Sequence, residues 1–262
     1  MTMSVRYGAR APERQEDREI EATTSPIVTE AVTVTYRTDP DIVAAVLPPP
    51  LAPAPEPVVR VSLQRVAISG APPFGSAVFS VAARHGDIDG DYPLFMPQST
   101  EASVLGGRDT FGEPKKLGEI DVDRQGDQVE ATVSRLGHRL ITVRGTVTGA
   151  LPVPDERSDV EFYFKFLRAP DGNGLTDPHL VYGTYRRRYE SLERIDGTVE
   201  LGESPLDPVA DIEIRQLESI TWCRRRTQQT ARIACPVDGA SLLPYVHQRY
   251  DDVALLAAPA RA

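Results

Sequence analysis

The chain is nearly devoid of lysine. Of its 29 cationic residues, 26 are Arg and three are Lys: Lys115, Lys116 and Lys165. Cysteine is almost as scarce. Cys223 and Cys235 are too few for a disulfide framework, and no His or Cys stands at zinc-ligand spacing beside them, so both are expected as reduced, partly buried thiols. No apolar run approaches the roughly 18 residues of a membrane-spanning helix, so no membrane partner is expected. The first thirty residues lack the apolar centre of a signal peptide, which points to the cytoplasm. A cationic excess is also missing. The net charge of −9 makes the chain a poor general binder of phosphate backbones, so no nucleic-acid partner is expected. The four histidines, His85, His138, His179 and His247, share no ligand spacing. The acidic tract at Asp87, Asp89 and Asp91 lacks the closing acidic residue and flanking helices of a calcium loop. No metal or cofactor is therefore predicted.

What is present reads mostly as β. Residues 1–25 are polar and aperiodic, and read as a mobile arm ahead of a single domain over 26–262. Residues 27–37 alternate and are rich in β-branched side chains, the pattern of a half-buried strand. Asp39 and Pro40 open a short helix over 42–46, which Pro48-Pro49-Pro50 stops. Further strands are predicted at 58–69, 77–84, 92–96, 117–123, 128–134, 139–148, 161–167, 181–189, 198–201 and 211–222, with 85–91 as a turn. Helices are predicted at 99–105 and 242–256, the latter broken at Pro244. Lys165 falls on one face of its strand with Tyr163 and Leu167. The runs Arg186–Arg188 and Arg224–Arg226 lie in strands, so alternation divides each between two faces; solvated edges or internal ion pairs are expected. Long helices between lone strands are absent, which excludes a doubly wound parallel sheet. The predicted fold is a mostly β (α+β), largely antiparallel barrel with a few short peripheral helices.

The densest segment is Gly106-Gly107-Arg108-Asp109-Thr110-Phe111-Gly112-Glu113-Pro114-Lys115-Lys116-Leu117-Gly118. Its four glycines and one proline read as an irregular loop delivering a lysine into a barrel. Lysine can do what arginine cannot. A neutral amine adds to a ketone and loses water to form an imine, whose protonated form accepts electrons when a bond to the adjacent carbon breaks. Free lysine titrates near ~10.4, so burial or a second cation must favour the neutral form. Two ammonium groups ~5 Å apart repel by about 3 kcal/mol at an effective dielectric of ~20, but only if the heads converge. Neighbours on a strand diverge, so burial of Lys115 is expected to outweigh the charge of Lys116, with Phe111 and Leu117 as the nearest apolar candidates.

The segment GGRDTFGEPKKLG resembles the active-site loop of the acetoacetate decarboxylase superfamily, whose usual form reads G-R-E, three residues, P-K-K-L. Tyr36-Arg37-Thr38-Asp39, the stretch at 46–61 and His85 to Tyr92 extend the resemblance over about residues 27–120. The resemblance implies a cone-like β-barrel in a homo-oligomer, Lys115 as the imine-forming lysine and Lys116 as its perturbing neighbour. The departures are specific. Where decarboxylating members carry an arginine and two glutamates, this chain aligns Thr29, Ser62 and Ser76, and Asp109 replaces the glutamate of G-R-E. Arg108 is a candidate for holding a substrate carboxylate, and Glu113 for general acid or base work in place of the missing glutamates. Tyr245 and Tyr250 are weaker candidates for a proton-transferring phenol. This profile points to an imine-forming lyase acting on a keto acid, of aldolase-dehydratase type. The alternatives are decarboxylation of acetoacetate or another β-keto acid, and a non-catalytic or hydrolytic relative that binds a carbonyl ligand.

Overall fold

The computed structural model describes residues 7–8, 27–68 and 70–252. Apart from Tyr7 and Gly8, the predicted N-terminal arm lies outside the described residues. One twelve-stranded sheet dominates. Its strands are β1 (Ile27–Arg37), β2 (Ala52–Pro53), β3 (Val58–Ala67), β4 (Phe74–His85), β5 (Ile88–Gln98), β6 (Lys115–Leu117), β7 (Glu119–Gln125), β8 (Gln128–Arg135), β9 (His138–Ala150), β10 (Arg157–Arg168), β11 (Leu175–Leu201) and β12 (Gln216–Pro236). Seven of them, in the order β10-β5-β4-β3-β1-β12-β11, close into a ring when β11 pairs back to β10. Every contact in the ring is antiparallel except the single parallel bridge Glu161–Asp91 between β10 and β5. Beyond the ring, the sheet continues from β11 through β9 and β8 to β7.

Alternation along the strands separates two environments. Val32 and Val34 of β1, Val59, Val61 and Leu63 of β3, and Phe79 and Val81 of β4 are buried together with Ala131, Val133, Ile141 and Val143 of β8 and β9. The main apolar core therefore lies outside the ring, under the folded-back β7–β9 extension. The residues between them, among them Thr29, Thr33, Ser62, Gln64, Ser76 and Ser80, face the ring's interior. A strand whose two faces meet different environments must alternate, and these do.

Helix α1 (Pro40–Val46) begins as expected, with the Asp39 side chain accepting from the Asp41 N–H and Pro40 in the first turn. Several boundaries differ from the sequence reading. The turn predicted at 85–91 is only Gly86-Asp87, and β5 starts at Ile88. Helix α2 (Glu101–Phe111) runs on through Gly106 and Gly107, where an irregular loop was expected. The strands expected at 181–189 and 198–201 are parts of one 27-residue strand, and the strand predicted to end at Trp222 continues to Pro236. β11 pairs with β10 and β12 in the ring and with β9 beyond it, and β12 spans both β1 and β11, needs that no local pattern encodes. The expected C-terminal helix is a four-residue helix α3 (Gly239–Leu242) followed by a 3-10 turn over Leu243–Gln248, and its remainder from 253 lies outside the described residues. Pro244 sits in the first turn of the 3-10 segment, which lacks the i−4 bonding that proline would break. Among the described residues, no helix is long and apolar enough to cross a membrane.

Candidate active site

Helix α2 ends at Gly112, whose left-handed backbone (φ 84°) returns its N–H to the carbonyls of Arg108 and Gly107. Any Cβ at Gly112 would also strike the Lys165 backbone at 2.6 Å. The chain then passes through Glu113 and Pro114 into β6, which pairs in parallel with the end of β5, Lys115 opposite Met96 and Lys116 opposite Pro97. As on any strand, the two lysines point to opposite faces.

Lys115 points into a cavity of about 210 Å³ inside the ring, to which all seven ring strands contribute. Its Nζ lies 2.7 Å from Oε2 of Glu113, whose side chain is only 1% exposed. That contact is ionic in distance but is not aligned as a hydrogen bond. Gly107, one helical turn earlier, makes the pair possible: a Cβ there would sit 2.0 Å from Glu113 Oε2 and 2.7 Å from Lys115 Nζ. The other oxygen of Glu113 accepts from the Tyr185 hydroxyl and from Gln229 Nε2, both at 3.0 Å. Beyond Tyr185 the chain of contacts continues. Its oxygen lies 2.5 Å from that of Tyr163, which donates to Glu161 Oε2 at 2.6 Å, and Glu161 Oε1 accepts from Arg187 at 3.0 Å. Burial, reinforced by the neighbouring carboxylates, holds the Tyr163 and Tyr185 phenols well above their ordinary titration range, so both keep their protons.

Lys116 goes the other way, into a cluster outside this cavity. Its Nζ meets Asp207 at 2.7 Å and Asp251 at 3.1 Å, and Arg135 bridges the same two carboxylates. Two cations and two anions thus form one group, in which Lys116, Arg135 and Asp207 are buried and Asp251 is partly exposed. Burial alone would raise Asp251, but hydrogen bonds from Arg135 and Lys116 outweigh it and hold the carboxyl low.

Arg108 does not line the cavity. Its guanidinium donates to the carbonyls of Lys115 (3.0 Å) and Arg249 (3.2 Å) and stacks 5.0 Å from the Tyr250 ring centre. Asp109 is exposed on the helix. Tyr245 packs against the main core, and Tyr250 sits edge-on to Phe166 among three arginines. Lys165 is exposed and donates to the Thr110 carbonyl. Phe111 packs in a small cluster with Met96, Tyr163, Val181 and Tyr185, while Leu117 is 58% exposed. Thr29 and Ser76 face the Lys115 cavity, and Ser62 faces a second cavity of about 470 Å³ that shares Gln64, Val78, Glu161, Arg187 and Arg225 with the first. Ser76 Oγ accepts from Gln98 Nε2 at 2.9 Å. Cys223 is buried, which pushes its thiol up, and neither cysteine is bridged.

Sequence reasoning missed Glu161, Tyr163, Tyr185, Arg187, Arg225 and Gln229. The arginine triplets contained a usable signal. The outer members pair on the surface: Arg186 with Glu156, Arg224 with Glu30 and Glu190, Arg226 with Glu190. The middle members, Arg187 and Arg225, turn inward to the cavities, as alternation requires.

The P-K-K-L segment thus places Lys115 beside the buried Glu113 inside the ring and Lys116 outside it. Residues 3–237 match the acetoacetate decarboxylase family. The chain belongs to that family. It is 30% identical over 202 residues to the acetoacetate decarboxylase of Burkholderia vietnamiensis, spanning 72% of this chain and 78% of that one. The enzyme of the same name from Burkholderia lata is 29% identical over the same shares. Among solved structures, one acetoacetate decarboxylase superposes with a TM-score of 0.73 at 20% identity, over 80% of this chain and 90% of the other. An acetoacetate decarboxylase-like enzyme from Sphingomonas wittichii RW1 gives 0.70 at 22%, over 81% and 93%. The enduracididine-biosynthesis enzyme MppR, solved with the condensation product of pyruvate and imidazole 4-carboxaldehyde, gives 0.67 at 15%, over 80% and 88%. These structural likenesses establish a shared fold.

Proposed function

We propose that this family member is a Schiff-base-forming lyase that acts on a keto acid by aldol condensation and dehydration. The observation that carries the reading is the Lys115–Glu113 pair inside a cavity where Thr29 and Ser76 are uncharged. The Lys115 amine adds to the ketone carbon. The carbinolamine oxygen leaves as water on taking a proton from Glu113, and the iminium remains. Loss of a proton from the adjacent carbon gives an enamine, which attacks an aldehyde to form the new carbon–carbon bond. Loss of the resulting hydroxyl as water gives the unsaturated product, and hydrolysis returns Lys115. Imine formation and enamine formation move protons close to the nitrogen, beside Glu113, which Tyr185 contacts in turn. In this reading Lys116 anchors β6 and Arg108 positions the Lys115 backbone.

The Tyr185 and Tyr163 hydroxyls link Glu113 to Glu161 through three oxygen–oxygen contacts, and in this reading that chain supplies Glu113 with the proton it gives up.

MppR, bound to a pyruvate–aldehyde condensation product, supports the aldol reading by its shared fold. The decarboxylase reading rests on the names of the Burkholderia relatives and on Glu161, a carboxylate in the same cavity. Its pairing with Arg187 and Tyr163 leaves Glu161 little charge with which to expel a substrate carboxylate. The test supplies the enzyme with pyruvate plus an aromatic aldehyde and, separately, with acetoacetate. Formation of the conjugated product without comparable carbon dioxide release supports the proposal, and the reverse pattern overturns it.

A further inference from the structure

Arg225 is 7% exposed, yet no carboxylate among the described residues pairs with it. Its Nε has no partner, its Nη1 meets only the Cys223 sulfur at 3.8 Å, and its guanidinium sits 5.8 Å from the Tyr189 ring centre. The surrounding arginines are treated differently. Arg224 and Arg226 lie outside with Glu190, and Arg187, which shares the cavity, is held by Asp159 and Glu161. The register sets Arg225 between Thr29 on β1 and Tyr189 on β11. Both strand partners are uncharged, and the carboxylates that line the same cavities, Asp91, Asp159 and Glu161, are engaged by Arg60 and Arg187. A largely buried cation without an anion of its own adds little to the folded state, and a neutral residue would serve packing as well. The guanidinium also lies where a ligand can reach it, lining both the Lys115 cavity and the larger cavity beyond.

We infer that Arg225 is the carboxylate anchor of the substrate site, pairing with the acid group of a keto acid while its carbonyl meets Lys115. The inference rests on the proposed function for the carbonyl half and on Arg225 alone for the acid half. A planar guanidinium with free donors matches a carboxylate in two parallel hydrogen bonds, a fit that an ammonium cannot make. The incoming acid supplies the missing charge, and the site selects keto acids over neutral ketones. Arg225 is then the specificity-determining residue, and the second cavity on its far side leaves room for whatever the acid carries.

The test compares wild type, Arg225→Gln and Arg225→Lys in two assays. In the first, imine formation at Lys115 is trapped with borohydride over a range of pyruvate and, separately, acetone. Arg225→Gln should raise the half-saturating pyruvate concentration by about a hundredfold and leave that for acetone nearly unchanged; Arg225→Lys should restore part of the loss. In the second, lactate, which has the carboxylate but no ketone, is titrated calorimetrically. Its binding should vanish in Arg225→Gln and survive in Lys115→Met. Equal losses for pyruvate and acetone, or unchanged pyruvate saturation, would overturn the inference. If wild type traps nothing, the lactate titration still decides the anchor, because it needs no imine. Thermal melting completes the set. Removing an uncompensated buried charge should leave the ligand-free protein at least as stable, whereas a structural arginine would lower the melting temperature. If Arg225→Gln does not fold, that result alone contradicts an unpaired role.

Discussion

Adding one methyl group at Gly107 should separate the needs of the fold from those of the site. Gly106 and Gly107 both lie inside helix α2, where replacing Gly by Ala ordinarily stabilises by about 1 kcal/mol. At Gly106 nothing lies within 4 Å of the new Cβ, so Gly106→Ala should gain most of that amount. At Gly107 the Cβ would be 2.0 Å from Glu113 Oε2, 2.5 Å from Lys115 Cδ and 2.7 Å from Lys115 Nζ. Those atoms must retreat by about 1 Å or more to reach ordinary contact. Overpacking of this kind costs roughly 1–3 kcal/mol, so Gly107→Ala should be neutral to about 2 kcal/mol destabilised after the helix gain. The effect on chemistry should be larger. Displacing a reacting group by about 1 Å typically costs on the order of a hundredfold in rate. The assay is denaturant unfolding of both variants beside the rate of borohydride trapping with a keto acid. A Gly107→Ala protein that traps at the wild-type rate would show that the Lys115–Glu113 contact is not needed.

Three further outcomes follow from the same contacts. Lys116→Gln should destabilise by about 3–5 kcal/mol because it leaves Asp207 and Asp251 to share one cation, and Lys116→Gln with Asp207→Asn should recover part of that loss. Denaturant titration of the double-mutant cycle reads this, and additive losses would contradict the cluster. Glu113→Gln should slow imine formation by about 10²–10⁴-fold while the fold persists, and stopped-flow trapping checks it. Asp91 gives a pH signature: burial, partly offset by Arg60, raises its carboxyl to about 6. Between its ordinary range near 4 and about 6 the native state holds the extra proton, so stability should fall as pH rises through that window and level off above it. Asp91→Asn should remove the slope, and chemical denaturation across pH 4–7 measures it.

The sequence carried the local part of this architecture well. The β-branched alternation of residues 27–37, the Asp39-Pro40 helix start and the divergence of Lys115 from Lys116 all follow from periodicity and capping, and all are present. Two kinds of feature were hidden. The first is Gly106-Gly107, where glycine argues locally against helix; the helix runs through both, and the glycine at 107 leaves room for Glu113 and Lys115. The second is everything the ring closure brings in. Glu161, Tyr185 and Arg225 lie 46 or more positions from Lys115 in sequence, on strands whose register no motif announces. The inward turn of Arg187 and Arg225 was nevertheless implicit once their triplets were placed on strands.

The central claim is that Lys115 is the amine that forms the imine. The direct measurement is borohydride reduction of the protein with pyruvate, followed by digestion and peptide mass mapping. The account predicts one reduced adduct, on Lys115, absent from Lys115→Met and strongly diminished in Glu113→Gln. An adduct on Lys116 or Lys165 instead, or none with any of a broad panel of keto acids, would contradict it.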